Sequence, residues 1–148
     1  MTARITYQSA AIPRAGGKIC VVRSSSGKRW VVPKGCHEPG KSLAEIALQE
    51  AWEEAGLVGI LKPEPVGSYL YEKWGGTYHV TVFLMSVTEA AEDYPECMLR
   101  ARCWLTPVQA LRRIDDPGLR AVLGRVLRGS GENESVTAGI QYRIANVE

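Results

Sequence analysis

Glu50, Glu53 and Glu54 are the residues of this chain best placed to do chemistry. At spacings i, i+3 and i+4 they share one face of a helix. Three carboxylates packed that closely repel one another unless a positive charge sits among them. A hard divalent cation such as Mg²⁺ prefers such oxygen ligands. Without further signals, the simpler account would be a solvated acidic edge on a surface helix. Two glycines argue against it. Gly35, ahead of the helix, lets backbone come close to a ligand, and Gly56, behind it, can end the helix in the left-handed conformation.

The whole segment reads Gly35-Cys36-His37-Glu38-Pro39-Gly40-Lys41-Ser42-Leu43-Ala44-Glu45-Ile46-Ala47-Leu48-Gln49-Glu50-Ala51-Trp52-Glu53-Glu54-Ala55-Gly56-Leu57. It resembles the Gly-x5-Glu-x7-Arg-Glu-U-x-Glu-Glu-x-Gly-U signature of the MutT/Nudix hydrolases, where U is a bulky aliphatic residue. Gly35, Glu50, Glu53, Glu54, Gly56 and Leu57 fall in register. Lys41 stands where the signature has its first Glu, Gln49 replaces the Arg, and Ala51 is smaller than the usual aliphatic residue.

The resemblance implies an α/β/α sandwich with a mixed β-sheet and a loop-helix-loop metal site. It also implies hydrolysis of a phosphoanhydride with Mg²⁺ or Mn²⁺. Carried over by position, Glu50, Glu53 and Glu54 are the metal ligands and Gly35 adds a backbone carbonyl. Many family members take their general base from a loop before a Trp-containing strand. Here that loop offers Glu96; Glu53 or Glu54 is the alternative. The amide of Gln49 donates weaker hydrogen bonds than a guanidinium, which predicts reduced but real turnover.

Arg14, Lys18, Arg29, Lys34 and Lys41 are the candidate cations for an anionic substrate. Lys41 either touches substrate phosphate or swings into solvent. The run Ser24-Ser25-Ser26-Gly27-Lys28-Arg29-Trp30-Val31-Val32-Pro33-Lys34-Gly35 resembles the diphosphoinositol polyphosphate phosphohydrolases. Its Pro-Lys-Gly end also resembles the diadenosine polyphosphate hydrolases. A nucleoside or inositol polyphosphate is therefore the expected substrate class, with nucleotide sugars and oxidised nucleotides as alternatives. A non-catalytic domain that binds a phosphorylated metabolite is the competing reading. Lys41 and Gln49 favour that reading, and the intact carboxylate set opposes it.

The elements that must hold these residues are legible in part. Ser9–Pro13 is a mildly apolar run, Lys18–Arg23 reads as a buried strand, and Trp30–Val32 as the next. Ser42 and Glu45 form a capping box at the start of the acidic helix. Leu43, Ile46 and Ala47 make one apolar face, with Leu48, Ala51, Trp52 and Ala55 extending another. Gly67–Glu72 and Thr77–Val87 read as strands joined by a Trp74-Gly75-Gly76 hairpin. An acidic loop, Glu89–Glu96, precedes a short strand at Cys103–Leu105. Thr106-Pro107 and Asp116-Pro117 each start a helix.

The 148 residues, 45% hydrophobic and 23% charged, are those of an ordinary globular protein. We expect one domain over 1–129, and a linker and tail over 130–148 with a possible edge strand. A net charge of +2 disfavours nucleic acid as a partner, and no apolar stretch suits a membrane span. The partner expected is a small phosphorylated molecule, bound by a monomer or homodimer. Cys20, Cys36, Cys97 and Cys103 form no Cys-x-x-Cys pair, and there is no apolar signal segment, so the expected location is cytoplasmic.

Overall fold

The structure is a computed structural model and describes residues 4–129. Its centre is β1 (Ile5–Ala15), an eleven-residue strand in which the Ser9–Pro13 run is the buried middle. Small side chains make this possible. Ala10 and Ile12 face one layer, and Ala11 and Ala15 face the other. A strand covered on both sides shows little polar alternation, so the sequence showed only part of its length.

A tight turn leads to β2 (Lys18–Arg23), antiparallel to β1. Next come β3 (Trp30–Val31), paired with β2, and β4 (Lys34–Cys36), paired with β1. The acidic helix α1 spans Leu43–Ala55. β5 (Leu57–Leu61), β6 (Gly67–Lys73) and β7 (Gly76–Ala90) follow, and β5 and β6 both run antiparallel to β7. The last elements are β8 (Arg102–Leu105), α2 (Pro107–Arg113) and α3 (Pro117–Gly129). β1 and β7 are parallel from Ile5↔Thr77 to Arg14↔Ser86, which makes the eight-stranded sheet mixed.

Helices cover both faces. On one, Ala47, Ala51 and Ala55 of α1 pack on Ala11, Cys20, Phe83, Met85 and Trp104. On the other, Ile114 and Leu119, Val122 and Leu123 of α3 pack on Ile12, Ile19, Val80 and Val82. The result is the expected α/β/α sandwich. The small Ala51 allows α1 to lie close to the sheet. Trp52 departs from the expected apolar face: it is exposed on the outer side of α1. Among the described residues, no helix is long and apolar enough to cross a membrane. The expected linker, tail and edge strand of 130–148 lie outside the described residues.

Candidate functional site

Local chemistry fixes α1 at both ends. The Glu45 N–H donates to Ser42 Oγ at 3.1 Å, and the Ser42 N–H donates to Glu45 Oε1 at 2.8 Å. Gly56 ends the helix with φ of 67°, as its position suggested. Burial of Ile46, Ala47, Ala51 and Ala55 then sets the rotation of the helix, and Glu54 is carried inward with them to 5% exposure. Gly35 on β4 lies directly against Glu50: a Cβ there would come within 2.4 Å of the Glu50 Cδ.

The carboxylates meet each other. Glu54 donates a hydrogen bond to Glu50, and Glu50 also lies within reach of Glu53. Burial is the main cause that pushes the Glu54 carboxyl up to about 8. Arg100 works against that shift, and Glu50 reinforces it. Glu50 is raised as well, again mainly by burial and further by Glu53. Among the described residues, no three His, Cys, Asp or Glu side chains already close around a common point. The acidic edge is thus a close pair, Glu50 and Glu54, with a third carboxylate beside it.

Glu54 opens onto a two-lobed cleft. The first lobe, about 230 Å³, is lined by Glu54, Gln8, Lys34, Cys36, Tyr71, Trp74, Tyr78 and Arg100 among others. The second, about 180 Å³, continues past Lys34 to Ser24, Ser25, Ser26, Arg29 and Asp116. Lys34 lines both. Burial lowers its pKa, and the neighbouring Glu54 carboxylate partly offsets that. Tyr71 and Tyr78 stack with centroids 4.8 Å apart, and the Tyr71 hydroxyl donates to Gln8 Oε1 at 2.7 Å. Trp74 stands at the hairpin tip, 84% exposed, with φ of 52°.

The expected substrate cations separate into two groups. Lys34 and Arg29 line the cleft. Arg14 and Lys18 sit where β1 turns into β2, and neither is among the lining residues. One Arg14 nitrogen, Nη1, is buried without a partner among the described residues. Lys41 is not in the cleft either. Its ammonium donates to Gln49 Oε1 and lies 3.6 Å from Glu38. Gln49 Nε2 donates onward to Glu38 at 2.9 Å and to Glu50 at 3.4 Å. The two departures from the signature therefore answer each other, and the amide still reaches the first carboxylate.

Glu96 is drawn to the end of α1. Its N–H donates to the Glu53 carbonyl at 2.9 Å, and its carboxylate accepts from Arg100 Nε at 2.8 Å. The sequence reading missed Arg100 and Arg102. Arg102 Nη1 donates to the carbonyls of Ala55 and Ala91 at 2.7 and 2.8 Å, capping the helix from another strand. Their position just before Trp104, and Glu96 four residues ahead of Arg100, were visible in the sequence; the carbonyls of Arg23 and Ala55, far away along the chain, were not.

Fold and site together define an α/β/α sandwich with an acidic helix edge facing a cleft lined by cations and hydroxyls. A sequence model of the NUDIX domain matches residues 7–126, and the chain belongs to the Nudix family. It is 33% identical over 119 residues to "Nudix hydrolase 12, mitochondrial" of Arabidopsis thaliana, covering 75% of this chain and 59% of that protein. With "Nudix hydrolase 21, chloroplastic" of the same plant it shares 33% identity over 113 residues, 73% of this chain and 57% of that protein. The chain thus spans about six-tenths of the length of the curated relatives it matches.

Solved structures agree on the fold alone. The solution structure of the E. coli ORF135 protein has a TM-score of 0.64 at 24% identity, covering 87% of this chain and 94% of that one. A C. elegans Ap4A hydrolase has a TM-score of 0.69 at 17% identity, covering 84% and 98%.

The cytoplasmic expectation is overturned. Relatives such as Nudix hydrolases 12, 13, 16, 17 and 18 are named mitochondrial, and Nudix hydrolase 21 chloroplastic. Free thiols report a reducing medium, and say nothing about which compartment provides it.

Proposed function

We propose that this chain is a divalent-cation-dependent hydrolase that cleaves a phosphoanhydride bond in a nucleoside or inositol polyphosphate. One observation carries the reading: Glu54, with Glu50 beside it, opens onto the same cleft as Lys34, Arg29 and the Ser24–Ser26 loop. A helix that served only as surface would have no reason to bury a carboxyl against another carboxyl, because the desolvation is unfavourable.

The donor set fits Mg²⁺ or Mn²⁺. Hard oxygen ligands stand on one helix edge, and the missing Cβ of Gly35 leaves backbone pressed against Glu50. Glu50, Glu53, Glu54 and the Gly35 carbonyl would hold the cation. When bound, it supplies charge neutralisation at the phosphate oxygens and a more acidic water. Lys34 and Arg29 hold the anionic substrate, with Ser24–Ser26 donating hydrogen bonds to its phosphates. The general base is taken from Glu53, Glu54 or Glu96. Lys41 and Glu38 stay outside the phosphate path and hold Gln49, whose amide braces Glu50.

The resemblance to diphosphoinositol and diadenosine polyphosphate phosphohydrolases is proposed as the guide to substrate. The C. elegans Ap4A hydrolase among the structural neighbours is consistent with it. The test is hydrolysis with and without Mg²⁺, read by chromatographic separation of the products, over dinucleoside polyphosphates, diphosphoinositols, nucleotide sugars and nucleoside triphosphates. Turnover of a polyphosphate that falls at least a hundredfold in Glu53→Gln is the expected result. Metal-independent hydrolysis, or none from any substrate, would sink the proposal.

A further inference from the structure

We propose that Arg100 is a positioning residue for this site, holding Glu96 and the loop that carries it against the acidic end of α1. The inference rests on the hydrolytic reading above.

Arg100 makes two anchoring bonds. Its Nε donates to Glu96 Oε1 at 2.8 Å, and its Nη1 donates to the Arg23 carbonyl at 3.1 Å. The Arg100–Glu96 pair is partly shielded, with side-chain exposures of 17% and 25%. Shielding makes it firmer than a surface ion pair, which contributes little. Glu96 is in turn fastened to α1 through its N–H and the Glu53 carbonyl. The chain from Glu96 to Arg100 is therefore pinned between the end of β2 and the acidic turn of α1.

Geometry explains why an arginine is needed there. Arg100 lines the first lobe together with Glu54 and Lys34. Its planar fork can serve Glu96 and the Arg23 carbonyl at once. A lysine ammonium would have to reach both acceptors from one nitrogen on a flexible stem, without that fixed fork. The neighbouring Arg102 differs in kind, since its Nη1 donates to two backbone carbonyls.

The experiment uses the full chain as wild type, Arg100→Ala, Arg100→Lys, Glu96→Gln and Arg100→Ala/Glu96→Gln. Turnover is measured on diadenosine tetraphosphate with Mg²⁺, and on any polyphosphate the wild type prefers. Backbone amide exchange is followed at Glu96 and, as a control, at Ala51. In Arg100→Ala we expect kcat to fall at least tenfold with KM within threefold, and Glu96 exchange to quicken while Ala51 exchange holds. Arg100→Lys recovers part of kcat. The double variant loses less than the product of the single losses, because the two residues act as one unit. Unchanged Glu96 exchange in Arg100→Ala overturns the inference. So does quickened exchange with kcat within twofold of wild type, which would leave Arg100 a structural staple only. A silent wild type overturns the hydrolytic reading instead, and amide exchange still decides whether Arg100 holds the loop.

Discussion

Glu54 concentrates the physics of this protein in one side chain. Its folded carboxyl titrates near 8 and its ordinary value is 4.5, so without a cation the folded state prefers it neutral. Below the ordinary value it is protonated whether the chain is folded or not, and it costs nothing. As pH rises from 4.5 toward 8 the unfolded chain releases the proton and the folded chain keeps it, so stability falls across that window. Thermal melts in chelator should therefore decline from pH 5 to pH 8, with a slope no steeper than ~1.4 kcal/mol per pH unit. Glu54→Gln should flatten that slope. The three glutamates could be found in the sequence because their spacing is local to one helix. Arg100 and Arg102 could not. Their roles depend on Glu53, Ala55 and Arg23, which only the folded sheet brings near. Arg14 and Lys18 show the opposite case: positive charge was easy to see, but the strand register that takes it away from the cleft was not.

At the level of elements, α1 and its termini were legible because capping chemistry is written in adjacent residues. The Ser42–Glu45 box and Gly56 are found where they were expected. The short strands were harder to read. β4 covers only Lys34–Cys36 and is a strand because Ser9 and its neighbours in β1 lie beside it. β5 carries Gly59 in its middle, where a Cβ would lie 2.2 Å from the Ser86 carbonyl oxygen. A glycine in a strand weakens the pattern by which strands are recognised, even where close backbone approach requires it. The turn out of α1 offers a direct test. Gly56 combines a left-handed φ with the Tyr94 ring, whose Cδ1 would sit 2.3 Å from an added Cβ. Gly56→Ala should cost about 1–3 kcal/mol of stability, read as a lower denaturant midpoint with an unchanged slope. Ser42→Ala at the other end should cost only about 1 kcal/mol.

For the whole molecule, the sandwich brings one acidic helix edge against a cleft built from β1, β3, β4, β6 and the β7–β8 loop. Cation binding should then couple to global stability, because the unfolded chain cannot gather these groups. At a hundredfold excess over Kd, Mg²⁺ or Mn²⁺ should add about 2.7 kcal/mol, which for a chain of this size raises Tm by roughly 5–10 °C. The rise should be larger at pH 8 than at pH 6, where Glu54 still holds its proton. A melting curve indifferent to both ions would count against the carboxylates as their ligands.

The parallel pairing of β1 with β7 has a consequence for how the protein comes into being. Ile5 waits for Thr77 and Arg14 for Ser86, so β1 is completed only by a strand about seventy residues later. During synthesis, the apolar side of α1 and one hydrogen-bonding edge of β1 emerge before the strand that completes the sheet beside them. Contacts this distant slow folding and leave sticky intermediates exposed. A nascent chain halted before Gly76 should therefore engage chaperones, and one released past Leu105 should let them go.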